Sequence, residues 1–197
     1  MHSRLFSGIL AAALLALCAK PSLSQTVPAA WQGSFPLSVG IGLANYNVDY
    51  RGANLIGPAI WIDWRPSMIP RLPKGLGIHA EATDSSLPKA AQPPSFREDT
   101  AGGGLIYKRP FGDNFDVFGK ALMGLASVDF DAGIPNYTHS SRTFYGFGGG
   151  VDYRLKGHVW VRGDYEVQRW GNLLGAPLNP RGLTAGVAFD FRNPRRF

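Results

Sequence analysis

Few side chains in this sequence are suited to chemistry, and they are not arranged as a familiar reactive site. The single cysteine is Cys18, and a glycine run at Gly146–Gly150 lacks the Lys-Ser/Thr pair of a phosphate-binding loop. One local group, Tyr137-Thr-His139-Ser140-Ser141, puts an imidazole and hydroxyls a few positions apart, as nucleophilic catalysis requires. The four histidines show no metal-ligand spacing, so we expect no metal and no cofactor; they are His2, His79, His139 and His158.

A second group of reactive side chains is charged and falls at alternate positions along strand-like segments. Buried charges are tolerated only when they are paired and hydrogen-bonded, so such a group predicts either an internal ion-pair network or an ion path with a selectivity filter. We favour a network that closes a barrel interior. Its predicted members are Glu81, Lys120, Asp152, Arg154, Arg162, Asp164, Glu166 and Asp190.

These charges must be positioned by strands, because the dominant period of the sequence is two. Val159, Val161, Tyr165 and Val167 alternate with polar residues, and the last run repeats this pattern. A run of about 10 residues is what a tilted strand needs to cross a bilayer. Eight runs fit, at 37–44, 56–64, 76–83, 100–108, 115–127, 143–154, 159–168 and 183–192.

The connections between these runs alternate in length, which is typical of outer-membrane barrels. Short turns are predicted at 109–114 and 154–158, whereas long loops are predicted at 85–98, 128–142 and 170–181. The segment 65–74, with three prolines, is unusually long for a connection at the end of the barrel that has the short turns. Pro58 lies inside a predicted strand and cannot donate to a ladder, so we expect a bulge there or pairing that begins after it.

The first residues have the order of an export signal. Arg4 precedes an apolar run, and Ser22-Leu23-Ser24 provides a small-x-small cleavage site. We predict a signal peptide at 1–24, a periplasmic lead-in at 25–34 and a barrel at 35–197. Cleavage would remove Cys18, Arg4 and Lys20, which leaves 18 basic and 14 acidic side chains and no cysteine.

The polar face of the runs indicates which side of the barrel meets lipid. Charged residues make up only 17% of the chain, and the polar face is rich in glycine, as at Gly146, Gly148 and Gly150. A soluble barrel would expose long charged side chains, whereas the interior of an eight-stranded barrel has room mainly for small residues and a few charges. The sequence therefore predicts an all-β fold, an eight-stranded antiparallel up-and-down transmembrane β-barrel with its apolar face outward.

The chain resembles the OmpA-like, porin-family eight-stranded outer-membrane β-barrel proteins from about residue 35 to its end. The resemblance is carried by GLTAGVAFDF at 182–191, YEVQRW at 165–170 and the glycine run before Val151. It implies residence in the bacterial outer membrane, contact with its lipid, a periplasmic N-terminus, surface loops with unknown partners, and insertion by the barrel assembly machinery. The family's assembly signal is a C-terminal Phe, for which the candidates are Phe189, Phe191 and Phe197.

Residues 137–141 also resemble the catalytic stretch of outer-membrane lipid A deacylases, which are barrels with a Ser/His/acid arrangement. That resemblance would make Ser141 the nucleophile, His139 the base and Asp152 the acid, although Arg142 follows where that family tends to have Asn. We favour a polar surface loop and no enzyme activity. The sequence thus predicts a barrel with a structural or surface-interaction role that binds no nucleic acid. The alternative is a narrow pore for ions or small solutes, and the third candidate is a deacylase-like enzyme.

Overall fold

The structure is a computed structural model that describes residues 36–48, 54–66, 73–87, 96–130, 139–173 and 176–191. The predicted signal peptide, the lead-in and Phe197 lie outside these residues. No helix among them is long and apolar enough to span a membrane. The strands are β1 (Leu37–Asn47), β2 (Asn54–Trp64), β3 (Leu76–Ser86), β4 (Phe96–Pro110), β5 (Phe115–Phe130), β6 (His139–Lys156), β7 (Val159–Trp170), β8 (Asn172–Leu173), β9 (Ala176–Pro177) and β10 (Arg181–Asp190).

Eight of these strands close into one antiparallel barrel in the order β1-β10-β7-β6-β5-β4-β3-β2, while β8 and β9 form a separate short hairpin. The first and last barrel strands pair directly, from Ser38 opposite Asp190 to Asn47 opposite Arg181. Closure leaves no unpaired sheet edge in contact with lipid, where an unsatisfied backbone group would cost several kcal/mol. The predicted eight-stranded up-and-down barrel is confirmed.

The two ends of the barrel differ in their connections. We call the end with the connections 65–75, 111–114 and 157–158 the turn end, and the opposite end the loop end. Gly112 and Gly157 have φ of 78° and 56°, so the tight turns use the left-handed region that glycine enters without strain. The strands β4, β5 and β6 run further towards the loop end than the sequence period indicated. His139 and Ser141 consequently lie in β6, not in a surface loop.

Pro58 changes the pairing of β2 less than expected. The ladder between β1 and β2 is continuous and includes Leu43 opposite Pro58. On the other side, Ile56 pairs with Ser86 and the ladder resumes at Ala59 opposite Thr83 in the same register. No bulge forms, and the second expected arrangement is present only in part. The ladder with β3 includes Ile56, omits the pairs at 57 and 58, resumes after Pro58 and keeps the alternation of faces.

The side chains divide between the two faces as the glycine-rich polar face predicted. Leu43 is 64% exposed and Leu125 is 66% exposed on the outside, whereas Lys120 and Arg162 are 5% and 1% exposed on the inside. The exposed apolar side chains form an apolar band around the barrel, with Trp64 and Tyr107 near the edge that faces the turn end. Towards the loop end, the outward positions become polar at Asp84 on β3, Asp99 on β4, Arg169 on β7 and Arg181 on β10. These residues lie beyond the membrane-spanning part of their strands.

Candidate functional site in the barrel lumen

The lumen near the turn end is filled by two cations and two carboxylates, which we call the lower cluster: Asp63, Lys108, Asp152 and Arg162. Arg162 Nε donates to Asp152 Oδ1 at 2.8 Å, and its Nη2 donates to Asp63 Oδ2 at 2.5 Å. Lys108 Nζ lies 2.8 Å from Asp63 Oδ2 and also donates to Asp152. The four side chains come from β2, β4, β6 and β7, so the contacts cross the barrel and hold distant strands together.

A second group, the upper cluster, lies on the loop-end side of the first and contains Glu81, Lys120, Asp164 and Glu166. Lys120 Nζ lies 2.6 Å from Glu81 Oε2, 2.7 Å from Glu166 Oε2 and 3.1 Å from Asp164 Oδ2. One buried ammonium group thus neutralises part of the charge of three carboxylates. This imbalance makes Lys120 the residue on which the cluster depends.

His79 connects the two clusters through both ring nitrogens. Its Nδ1 lies 2.5 Å from Asp63 Oδ1 and its Nε2 lies 2.9 Å from Glu81 Oε2. The network continues towards the loop end, where Gln168 donates to Glu166 at 2.8 Å and Trp170 donates to Gln168 at 2.8 Å. Polar contacts therefore run without a break along most of the lumen.

Aromatic side chains line the lower cluster and glycines make room for them. The guanidinium group of Arg162 lies 5.0 Å from the ring centroid of Trp61 and 4.6 Å from that of Phe118, at distances typical of cation–π contacts. A Cβ added to Gly40 would come within 2.1 Å of Trp61, and one added to Gly148 would lie 3.0 Å from Lys120 Cε. Because the inward glycines carry no side chain, they leave room in the lumen for the large buried side chains.

Above the upper cluster, near the loop end, lies a group of apolar side chains that we call the apolar cap. It consists of Val48, Leu55, Ala126, Val128, Phe144, Trp170 and Leu178, all buried. Leu178 follows the β8–β9 hairpin, so the connection between β7 and β10 contributes to the cap.

One carboxyl group lies beside this cap. Glu98 is 1% exposed, lies opposite both Ser85 on β3 and Val128 on β5, and has no hydrogen-bond partner for Oε2. Burial, together with the neighbouring carboxylate of Asp99, raises the pKa of Glu98 to about 8. Asp99 faces outward, where partial burial and the carboxylate of Asp84 raise its pKa to about 6. Burial and the Asp99 carboxylate both favour the neutral form of the Glu98 carboxyl group.

The structure places six of the eight predicted lumen charges in this network. Arg154 and Asp190 instead lie at the turn end, where Arg154 donates to the Asp113 carbonyl and packs over Trp160. Asp190 lies 3.4 Å from Arg65. Arg154 and Asp190 face inward like the members of the two clusters, but they lie closer to the turn end of their strands.

Sequence reasoning missed three titratable members of the network, namely Asp63, His79 and Lys108. Each lies at an inward-facing position of a strand that the period of two had predicted, so strict alternation would have included all three. The signal was weak for Lys108 because Gly102, Gly103 and Gly104 interrupt the alternation of β4, and His79 looked isolated because its partner Asp63 lies on another strand, β2.

The proposed hydrolytic residues are not brought together. Ser141 faces outward on β6, whereas Asp152 is buried in the lumen at the other end of the same strand. Their separation is about 36 Å at roughly 3.3 Å per residue, far beyond hydrogen-bond reach. The deacylase arrangement of Ser141, His139 and Asp152 is therefore wrong. Within the described segments, no group of His, Cys, Asp and Glu residues has the geometry to hold a metal ion.

The candidate assembly residues lie on the outside at the turn end. Phe189 and Phe191 are 43% and 44% exposed and contact each other edge to face, with ring centroids 4.9 Å apart. His158, in the turn between β6 and β7, stacks on Phe189 with the ring centroids 5.3 Å apart. Phe191 N also donates to the Leu37 carbonyl at 2.9 Å, which ties the end of the last strand to the start of the first.

Comparisons with known proteins agree with this architecture. The solved structure of Neisserial surface protein A (NspA) is 18% identical and covers 79% of this chain and 97% of its own, with a TM-score of 0.65. Ail, the attachment invasion locus protein of Yersinia pestis, is 16% identical and covers 78% of this chain and 97% of its own, with a TM-score of 0.53. At these identities the likeness shows the fold alone.

The family is shown by the sequence itself. No curated protein sequence matches the chain. The profile of the outer membrane protein beta-barrel domain, however, matches residues 9–191, which is most of the chain. With the closed eight-stranded barrel and its outward apolar band, this match establishes that the chain belongs to the outer-membrane β-barrel family and is a protein of the bacterial outer membrane.

Proposed function

We propose that this protein is a non-conducting outer-membrane barrel with a structural or surface-interaction role. The observation that carries the proposal is the continuous network from Arg162 through His79 and Lys120 to Trp170, followed by the apolar cap. An ion crossing the lumen would have to separate buried ion pairs, and breaking one such pair costs about 3–5 kcal/mol. A barrel of eight strands has little width left once side chains fill it.

The surface role is supported by the contrast between the two ends. The loop end holds four connections of 6 to 10 residues and the β8–β9 hairpin, whereas the turn end has two connections of 2 and 4 residues and one of 11, at 65–75. We place the loop end on the outside of the cell, as in the family the chain resembles. NspA is described as a surface protein and Ail as an attachment invasion locus protein, and Ail has also been solved with the heparin analogue sucrose octasulfate. We infer a role of the same general kind, with a partner bound at the loop end.

A narrow pore is the second candidate, and one observation favours it. The upper cluster has three carboxylates around the single cation Lys120, so any path that opened beside it would attract cations. In this alternative, the ion pairs would act as a gate that rearranges to admit small cations.

Single-channel recording in planar lipid bilayers separates the two candidates. We expect no stable unit conductance from the wild-type protein. The double variant Asp63→Ser/Arg162→Ser removes a matched pair and should conduct, whereas Val167→Ala, an outward substitution, should not. Stable unit conductance of the wild-type barrel would refute the closed-lumen proposal, and a silent double variant would show that the lower cluster does not close the lumen.

We propose further that Phe191 is the residue that the barrel assembly machinery reads, because Phe191 directly follows the last strand, donates to the Leu37 carbonyl and remains exposed. Removal of residues 192–197 should leave insertion unchanged, whereas Phe191→Ala should reduce the folded fraction in the outer membrane. Heated and unheated gel migration measures that fraction. Normal insertion of Phe191→Ala combined with failure of the truncated chain would assign the signal to Phe197 instead.

A further inference from the structure

The outward residues just beyond the apolar band at the loop end form two arcs of opposite character. On β3, β4 and β5 the arc is acidic, with Asp84, Asp99 and Asp129, and Arg97 pairs with Asp84 at 2.8 Å. On β7, β10, β1 and β2 the described outward residues include no carboxylate. That second arc, the donor arc, consists of Arg169, Arg181, Asn45, Asn47 and Asn54.

The two arginines of the donor arc lie close enough to act together. Arg181 on β10 is opposite Val167 on β7, and Arg169 lies two residues further along β7 on the same face. Such diagonal neighbours are about 7–8 Å apart, within reach of long side chains. Both arginines are exposed, and within the described segments the side chain of neither makes a hydrogen bond or ion pair, in contrast to Arg97.

The surroundings of this arginine pair are those of a membrane boundary. Directly below it on the outer face lie Tyr165 and Leu183, which are 46% and 62% exposed, and Tyr145 is opposite Arg169 on β6. Acyl chains packed on these apolar side chains would bring the lipid headgroup to the height of the guanidinium groups. Arginine forks match the geometry of phosphate oxygens and form charge-assisted hydrogen bonds with them.

We propose that the donor arc binds the phosphate groups of a phosphorylated glycolipid, such as lipid A, in the outer leaflet. The inference rests on the proposed outward placement of the loop end. The acidic arc on the opposite side repels the same phosphates, so the lipid is bound on one side of the barrel. The asparagines on β1 and β2 supply further donors for the sugar hydroxyls beside the phosphates.

Native mass spectrometry of the detergent-solubilised barrel with added bis-phosphorylated lipid A tests this proposal. The variant Arg169→Gln/Arg181→Gln should bind at least about tenfold more weakly, because two charge-assisted hydrogen bonds are lost. Arg169→Lys/Arg181→Lys should retain most of the binding. Arg109→Gln, an outward arginine at the turn end, is the matched control and should bind as the wild type does.

Comparing the binding of different lipids and of inorganic phosphate shows which kind of phosphate the donor arc recognises. Lipid A lacking phosphates and phosphatidylglycerol should each bind more weakly than bis-phosphorylated lipid A, and millimolar inorganic phosphate should compete only partly. Equal binding of wild type and the double Gln variant would overturn the proposal, and equal binding of phosphatidylglycerol would overturn the assignment to a glycolipid. Gel migration shows that each variant is folded, and conductance tests the closed lumen separately, so the two proposals fail independently.

Discussion

Replacing Lys120 with methionine should destabilise the barrel more than any single change of surface charge. Methionine keeps most of the length of the side chain and removes the ammonium group. The variant would leave Glu81, Asp164 and Glu166, whose side chains are 9%, 3% and 1% exposed, without their shared cation. Loss of one partner from a buried ion pair costs about 3–5 kcal/mol. Because three carboxylates lose their partner at once, we expect the upper part of that range.

The assay is urea unfolding in lipid vesicles, with the folded fraction read from the gel migration of unheated samples. The matched control is Lys156→Met, which makes the same substitution at an exposed position where surface changes are usually worth about 0.5 kcal/mol or less. Adding Glu81→Gln or Glu166→Gln to Lys120→Met should restore part of the lost free energy of unfolding, because each removes one of the unpaired negative charges.

Two results would refute this reasoning. A Lys120→Met variant within about 1 kcal/mol of Lys156→Met would mean that the carboxylates are hydrated or protonated and do not need the ammonium group. A further loss of stability on adding Glu166→Gln would mean that Glu166 stabilises the barrel through Gln168 and not through Lys120. Either outcome would also remove the main support for a closed lumen.

Two further predictions concern the apolar cap and the glycine positions. Because the pKa of Glu98 is raised from about 4.5 to about 8 in the folded state, the wild-type free energy of unfolding should fall as pH rises from about 4.5 to 8, by at most about 5 kcal/mol at 1.4 kcal/mol per pKa unit. Glu98→Gln should remove that part of the pH dependence, measured as urea unfolding at pH 5 and pH 9, and an unchanged profile would show that Glu98 is solvated. Gly40→Val should cost about 1–3 kcal/mol because its Cβ would overlap Trp61, whereas Gly163→Val, with open space outside the barrel, should cost less; equal losses would contradict the packing argument.

The sequence alone determined the strands and the faces of this barrel. A period of two gives each strand an inner and an outer side, and the glycines on the face of β6 opposite its Val and Tyr residues indicate which side meets lipid. The inward parity of Lys120, Arg162 and Glu166 followed from the same period. These features are local, because they depend only on neighbours along one strand.

The tertiary structure decided which inward charges meet. Lys120 on β5 reaches Glu81 on β3 and Glu166 on β7 because the stagger of the closed barrel brings them to one height. His79 joins Asp63 to Glu81 because it is the direct cross-strand partner of Asp63 and lies two residues from Glu81 on the same face of β3. Ser141 and Asp152 are separated because β6 continues through both. Period two gives a residue its face but not its height relative to other strands. That height is set by the register of pairing around the whole barrel, which depends on contacts among residues far apart in the chain.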